Sequence, residues 1–212
     1  MAFVLIDTKI EMQSALAAPI NITGISKAAE AVITCANSFT TGDIIVIDGV
    51  GGMVQINGYA VRVKTATGST FTAEGLDSTN FSAWVSGGTA SKVTAFLAFD
   101  NASGFNMPDP PLSKEDATPI SALERVELAG LQDAFSAEIP LFASPMSAHM
   151  VEARKARSEG KTRAFKITTR PGNVAIINAE VSGGAGMDGT AGSVATGNLS
   201  LTLKRAPQWF AS

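Results

Sequence analysis

The stretch Glu159-Gly160-Lys161-Thr162-Arg163-Ala164-Phe165-Lys166-Ile167 decides the fold, because a helix ends in it and a strand begins in it. Before it, Met146, Met150 and Ala153 recur at helical spacing. Ser144 stands where an N-cap is needed, Pro145 occupies the first helical position, and Gly160 supplies a residue that closes a helix. After it, residues 162–169 and 173–182 read as a hairpin turning at Arg170-Pro171-Gly172-Asn173. Residues 183–197 are a connection of small residues, 198–204 form the last strand, and 206–212 form a tail. The segment therefore predicts one helix set among antiparallel strands.

The composition agrees with a mainly β chain that buries a core. Of 212 residues 45% are hydrophobic and 17% charged, with 20 Gly punctuating short Val-, Ile- and Phe-rich runs. A formal net charge of −3 and a pI near 5.2 provide no basic footprint for nucleic acid. The apolar run at 3–6 is too short for a signal peptide, and no run approaches the roughly 18 apolar residues of a membrane span, so no membrane partner is expected. A single cysteine, Cys35, cannot form an internal disulfide.

Upstream, residues 3–12 read as a first strand and 15–19 as a small-residue linker. Residues 20–90 then have their own rhythm: β-prone runs at 31–35, 43–48, 59–64 and 70–73, separated by turn signals at Thr41-Gly42, 49–52, Asn57-Gly58 and Gly68. Such spacing predicts a small β-barrel or sandwich, inserted into a discontinuous domain of residues 1–19 and 91–212. With a core of its own, this insert is expected to be removable, by joining Ala18 to Ser91, without loss of assembly. Residues 92–99 read as a strand. Residues 101–121 carry Pro108, Pro110, Pro111 and Pro119, which argue against helix or central strand and predict a loop that orders on assembly. Residues 123–142 read as strand, with Phe135, Ala137, Ile139 and Leu141 on one face and Ala134, Ser136 and Glu138 on the other.

No residue cluster predicts catalysis, cofactor binding or a metal site. His149 is the only histidine and lacks a nucleophile and an orienting partner in the pattern, so it reads as a surface or interface residue. Cys35 lies in a strand pattern and reads as a buried thiol. Asp43 and Asp48 lack the acidic loop of a calcium site and read as solvated carboxylates. Gly184-Ala185-Gly186-Met187-Asp188-Gly189 matches the dinucleotide fingerprint literally, but a strand, not a helix, follows it, so no helix N-terminus would receive a pyrophosphate.

Two resemblances rest on these motifs. Residues 93–207 resemble the major tail tube proteins of lambda-like, long-tailed bacteriophages, most specifically at the helix running into Glu159-Gly160-Lys161-Thr162-Arg163-Ala164-Phe165-Lys166-Ile167, at Arg170-Pro171-Gly172-Asn173, and at the ending Arg205-Ala206-Pro207. Residues 20–90 are similar to the FCCH β-barrel of ubiquitin-activating enzymes, through Thr41-Gly42-Asp43-Ile44-Ile45-Val46-Ile47, Gly51-Gly52-Met53, Gln55-Ile56-Asn57-Gly58, Ser69-Thr70-Phe71-Thr72 and Gly75-Leu76-Asp77-Ser78-Thr79. That module carries no catalytic cysteine, and Cys35 inherits no role from it.

The first resemblance implies a tail-tube β-sandwich with one α-helix, homohexameric rings stacked into a tube, and no enzymatic activity or cofactor. It also implies a virion protein assembled in the bacterial host cytoplasm, meeting tape measure, tail terminator and baseplate proteins and letting double-stranded DNA pass without binding it specifically. On that expectation Phe105, Met107, Leu112, Trp209 and Phe210 are candidates for ring stacking, since apolar groups in irregular segments need a partner. Ser136 and Glu138 are candidates for the lumen, where negative charge repels phosphates. Met146, Met150 and Ala153 place the helix at a subunit interface. The competing expectation is a carbohydrate-binding or adhesion module built on Tyr59 and Trp84, although burial in the core of the small barrel is the better account of that pair.

Overall fold

The computed structural model describes residues 6–121, 123–170, 172–184 and 186–211. Residues 3–5 of the expected first strand, Pro171 of the expected turn and Ala185 of the glycine-rich fingerprint lie outside the described residues. The chain is mainly β with one α-helix. Its strands are β1 Lys9–Leu16, β2 Ile20–Asn21, β3 Gly24–Ile25, β4 Val32–Thr34, β5 Ile44–Gly51, β6 Tyr59–Ala66, β7 Thr70–Ala73 and β8 Ser86–Ala98. There follow β9 Leu112–Asp116, β10 Glu127–Gln132, β11 Ser136–Phe142, the helix α1 Ala148–Glu159, β12 Arg163–Thr168, β13 Val174–Val181, β14 Thr196–Leu203 and β15 Gln208–Phe210.

Thirteen strands join in one antiparallel path, β11-β14-β13-β12-β1-β8-β5-β6-β7-β4-β3, with β15 on β13 and β2 on β8; β9 and β10 form a separate hairpin. The long strand β8 crosses the expected boundary at 90/91 without a break. Its Ser86–Lys92 half pairs with β5, and its Val93–Ala98 half pairs with β1.

Side-chain alternation sorts the interior into three clusters. The main core takes Ile10, Met12, Phe165, Ile167, Ile139, Leu141, Leu199 and Leu201, closed by Met150, Ala153 and Ala156 of α1. A second core, within residues 20–90, takes Ile33, Cys35, Ile45, Ile47, Met53, Val61, Val63 and Phe71. A third cluster joins them: Ile44, Ala60, Val93, Ala164, Ile176 and Phe210. The β13 sequence explains the junction. Ala175, Ile177, Ala179 and Val181 face the main core, while Ile176 and Asn178 are buried on the opposite face beneath the 20–90 segment.

Four local expectations are revised. The helix begins at Ala148, with Ser147 at the N-cap. The Ser147 N–H donates to the Ser144 carbonyl, so Ser144 and Pro145 form the turn before the helix. Gly160 does end it, in the left-handed conformation with φ 60°. Within 101–121, Leu112–Asp116 is a strand, because none of the four prolines falls inside it and its ladder donors are intact. The expected strand 123–142 is two strands, β10 pairing with β9 and β11 pairing with β14. The tail is ordered through β15, where Val174 pairs with Phe210.

Candidate functional site

The joint between the 20–90 segment and the rest of the chain is polar at its rim and apolar inside. Asn178, only 2% exposed, accepts a hydrogen bond from the Ala60 N–H at 2.6 Å and donates to the Ala60 carbonyl at 3.3 Å. It supplies the pairing that β6 lacks on that side. Gln208 Nε2 donates to the Gly75 carbonyl at 3.0 Å, and Arg62 donates to the Ala211 carbonyl at 3.3 Å while its guanidinium lies 5.4 Å from the Phe210 ring centroid. The Arg205 guanidinium lies 4.0 Å from the Tyr59 ring centroid, and burial holds its pKa below the ordinary arginine value. β15 thus fastens one unit to the other.

The free edge of β11 is covered from within the subunit. Asn106 and Glu138 exchange backbone hydrogen bonds at 2.8 and 2.7 Å, the Ser103 N–H donates to the Pro140 carbonyl, and the Phe142 N–H donates to the Asn101 carbonyl. Phe105 and Met107 pack, partly buried, against the main core. Ser136 and Glu138 both project from the exposed face of β11, as the alternation predicts.

Beyond this cover the chain leaves the body. The β9–β10 hairpin has its own ion pairs, Lys114 with Glu127 at 2.9 Å and Arg125 with Asp116 and Glu127 at 3.5 and 3.6 Å. Thr118 donates to Asp116 from its hydroxyl and its N–H, and these bonds hold that carboxyl below the usual carboxylate range. Its apolar side chains have no such partners. Ile120 is 108% exposed, Leu123 103%, Leu131 86% and Leu128 59%.

The expected site residues divide accordingly. Leu112 and Trp209 are half exposed, and Met146 is almost fully exposed in the turn before α1. Phe210, Met150 and Ala153 are corrected to packing inside the subunit, Phe210 in the joint cluster and the other two in the main core. The hairpin residues Ile120, Leu123, Leu128 and Leu131 were missed by the sequence reading, as were Phe142, Met187 and Val194 at the other end of β11. The available signal was the alternation of Leu128 and Leu131 with polar and small residues in 127–132, which the strongly charged 112–116 does not match.

His149 is buried, not a surface residue; its Nε2 lies 2.9 Å from the Ser147 hydroxyl and its ring 4.9 Å from that of Phe99. Burial lowers its pKa, against an opposing attraction from Asp100. Cys35 is buried, and desolvation raises its thiol pKa. Tyr59 and Trp84 both pack, partly buried, against the second core, Tyr59 also beneath the Arg205 guanidinium and Trp84 with its Nε1 donating to the Gly87 carbonyl. Among the described residues no group of three or more His, Cys, Asp or Glu is placed to hold a metal ion.

Comparison with known proteins gives one family match. The sequence model of the ubiquitin-activating enzyme E1 FCCH domain matches residues 28–94, less than half of the chain. It agrees with the module resemblance, beginning at residue 28 instead of 20 and ending at 94, further along β8 than Ala90. No curated protein matches. Among solved structures, a chain from the virion of a native gene transfer agent particle is similar at 14% identity and a TM-score of 0.41, covering 55% of this chain and 89% of that one. A chain from the tail of an empty gene transfer agent particle with C6 symmetry is similar at 13% identity and 0.41, covering 55% and 87%. A chain from the six-fold symmetrised baseplate of the anti-feeding prophage is similar at 11% identity and 0.39, covering 82% and 96%.

Proposed function

We propose that this chain is a structural virion protein of a phage-like tail that stacks as homohexameric rings into a tail tube, the conduit for DNA ejection, and that it is not an enzyme. The observation that carries this reading is the β9–β10 hairpin, which stands off the sheet with Ile120, Leu123 and Leu131 at 86% exposure or more. A soluble subunit gains nothing by presenting these side chains to water, whereas contact with a neighbouring subunit removes them from it. The resemblance of residues 93–207 to lambda-like tail tube proteins supplies the architecture that such contacts would build. Leu112, Trp209 and Met146 are contact residues between subunits on this reading, and Ser136 and Glu138 face the lumen. Tape measure, tail terminator and baseplate proteins are its partners in the virion, and assembly takes place in the host cytoplasm.

Negative-stain microscopy and light scattering of the purified chain test the proposal. Rings or tubes, formed without nucleotide or metal, are the expected result. A compact monomer at high concentration, also in the presence of tail-initiating partners, refutes it.

A further inference from the structure

Among the described residues, two groups of exposed apolar side chains stand at opposite ends of β11. Both legs of the hairpin leave at the Ser136 end, since Asn106 lies opposite Glu138 and β10 runs into Ser136 through Asp133. The second surface gathers at the Phe142 end. Phe142 pairs with Thr196, and the Ala143 N–H donates to the Ala195 carbonyl, which brings Val194 alongside. Phe142 and Met187 line one shallow pocket with Pro145 and Gly184, and Met146 follows in the adjoining turn. Exposures here are 49% for Phe142, 86% for Met146, 59% for Met187 and 71% for Val194. β11 has 7 residues, so about 20 Å of strand separates the base of the hairpin from the second surface.

Charge adds to this complementarity. The hairpin, 112–132, carries Lys114 and Arg125 against Glu115, Asp116, Glu124 and Glu127, a net charge of −2. Its ion pairs use Asp116 and Glu127, and leave Glu115 and Glu124 without a cation among the described residues. Arg154 lines the pocket beside Phe142, and Arg157 lies next to it along α1. Among the described residues neither arginine meets a carboxylate, the ion pairs around α1 being those of Lys155 and Arg163.

We infer that the face formed by Phe142, Met146, Met187 and Val194, rimmed by Arg154 and Arg157, is the socket that receives the β9–β10 hairpin of a second copy of this chain. The inference rests on the assembly reading above and adds the receiving surface and the polarity. Because the two surfaces differ and lie at opposite ends, the contact is head-to-tail and propagates from copy to copy instead of closing on itself as a two-fold pair.

Single-cysteine cross-linking tests this directly, since the native Cys35 is buried. Leu131→Cys and Met187→Cys are made as separate full-length proteins, both at exposed positions, and oxidised alone and as a mixture under assembly conditions. The mixture is expected to give covalent dimers on a non-reducing gel, and each variant alone none. Dimers from Leu131→Cys alone would mean hairpin-to-hairpin pairing and overturn the socket. Assembly by scattering without dimers in the mixture also overturns the socket, while the tube reading stands. Persistent monomers of the unmodified chain overturn both.

Discussion

Replacing Asn178 with alanine removes the side chain that completes β6 from across the joint. In β6 the Val61 and Tyr59 groups point toward β5, whereas the Ala60 N–H and carbonyl point away from it, toward Asn178. Ala60 is fully buried, so neither group gains a water when the amide is lost. Leaving a buried donor and a buried acceptor unpaired costs about 1–3 kcal/mol each, about 2–6 kcal/mol in all. For a chain of this length that corresponds to a fall in Tm of about 5–20 °C. Asn178→Asp is expected to retain acceptance from the Ala60 N–H and lose donation to the carbonyl, while adding a charge that burial disfavours. It should not recover the native stability. Differential scanning calorimetry with chemical denaturation reads both variants. A fall in Tm below about 2 °C for Asn178→Ala would show that Ala60 is satisfied some other way and that the joint does not depend on this residue.

Two further outcomes follow from the same contacts. Joining Ala18 to Ser91, which the sequence suggested would leave assembly intact, removes Ile44 and Ala60 from over Ala164, Ile176 and Phe210, so the shortened chain is now expected to aggregate, and to regain solubility when Ile176 and Phe210 are replaced by polar residues; a soluble, unmodified deletion protein would show that the third cluster is dispensable. His149 is buried neutral with a pKa below its ordinary 6.5, so its contribution to stability is fully present above pH 6.5 and is lost as pH falls from there through the lowered folded value. Thermal melts between about pH 5 and 8 should therefore show a drop on the acid side that His149→Gln flattens, and equal slopes for the two proteins would refute the assignment.

Much of the fold was legible because the signals were local. Residues 173–182 read as the second arm of a hairpin and do form β13, although its burial on both faces was not read from the sequence, and Gly160 marked the helix end where it lies. The glycine-spaced runs of residues 20–90 gave short antiparallel strands, whose turn at Gly52 needs φ +85° and has no room for a Cβ, which would meet the Ala83 carbonyl at 2.4 Å. The site was less legible for a physical reason. Whether Phe210 or Phe105 is buried depends on which strand lies opposite, and β15 docks on a strand more than thirty residues earlier, which no local pattern encodes. The same limit hid the hairpin: four prolines in 101–121 suppress the strand signal, and only the pairing of Leu112 with Gln132 reveals that the chain returns.

If the chain assembles as proposed, the joint decides how residues 20–90 are held relative to the rest of the subunit. A module tethered by two flexible linkers would be free to tumble and would obstruct neighbours in a closely packed ring. Here β8 is shared between the two cores, Asn178 supplies the pairing β6 lacks, and β15 closes the rim from the C-terminal side. These three attachments come from segments far apart in the sequence, so the module has one orientation relative to the main core. The covered surfaces are the outer faces of β12 and β13, through Ala164 and Ile176. The hairpin and the Phe142 face lie at the two ends of β11, on the opposite edge of the sheet from β3. On the assembly proposed above, both ends of β11 would meet neighbouring copies while residues 20–90 sit along β8, the separation a stacked ring would need if that segment is not to block stacking.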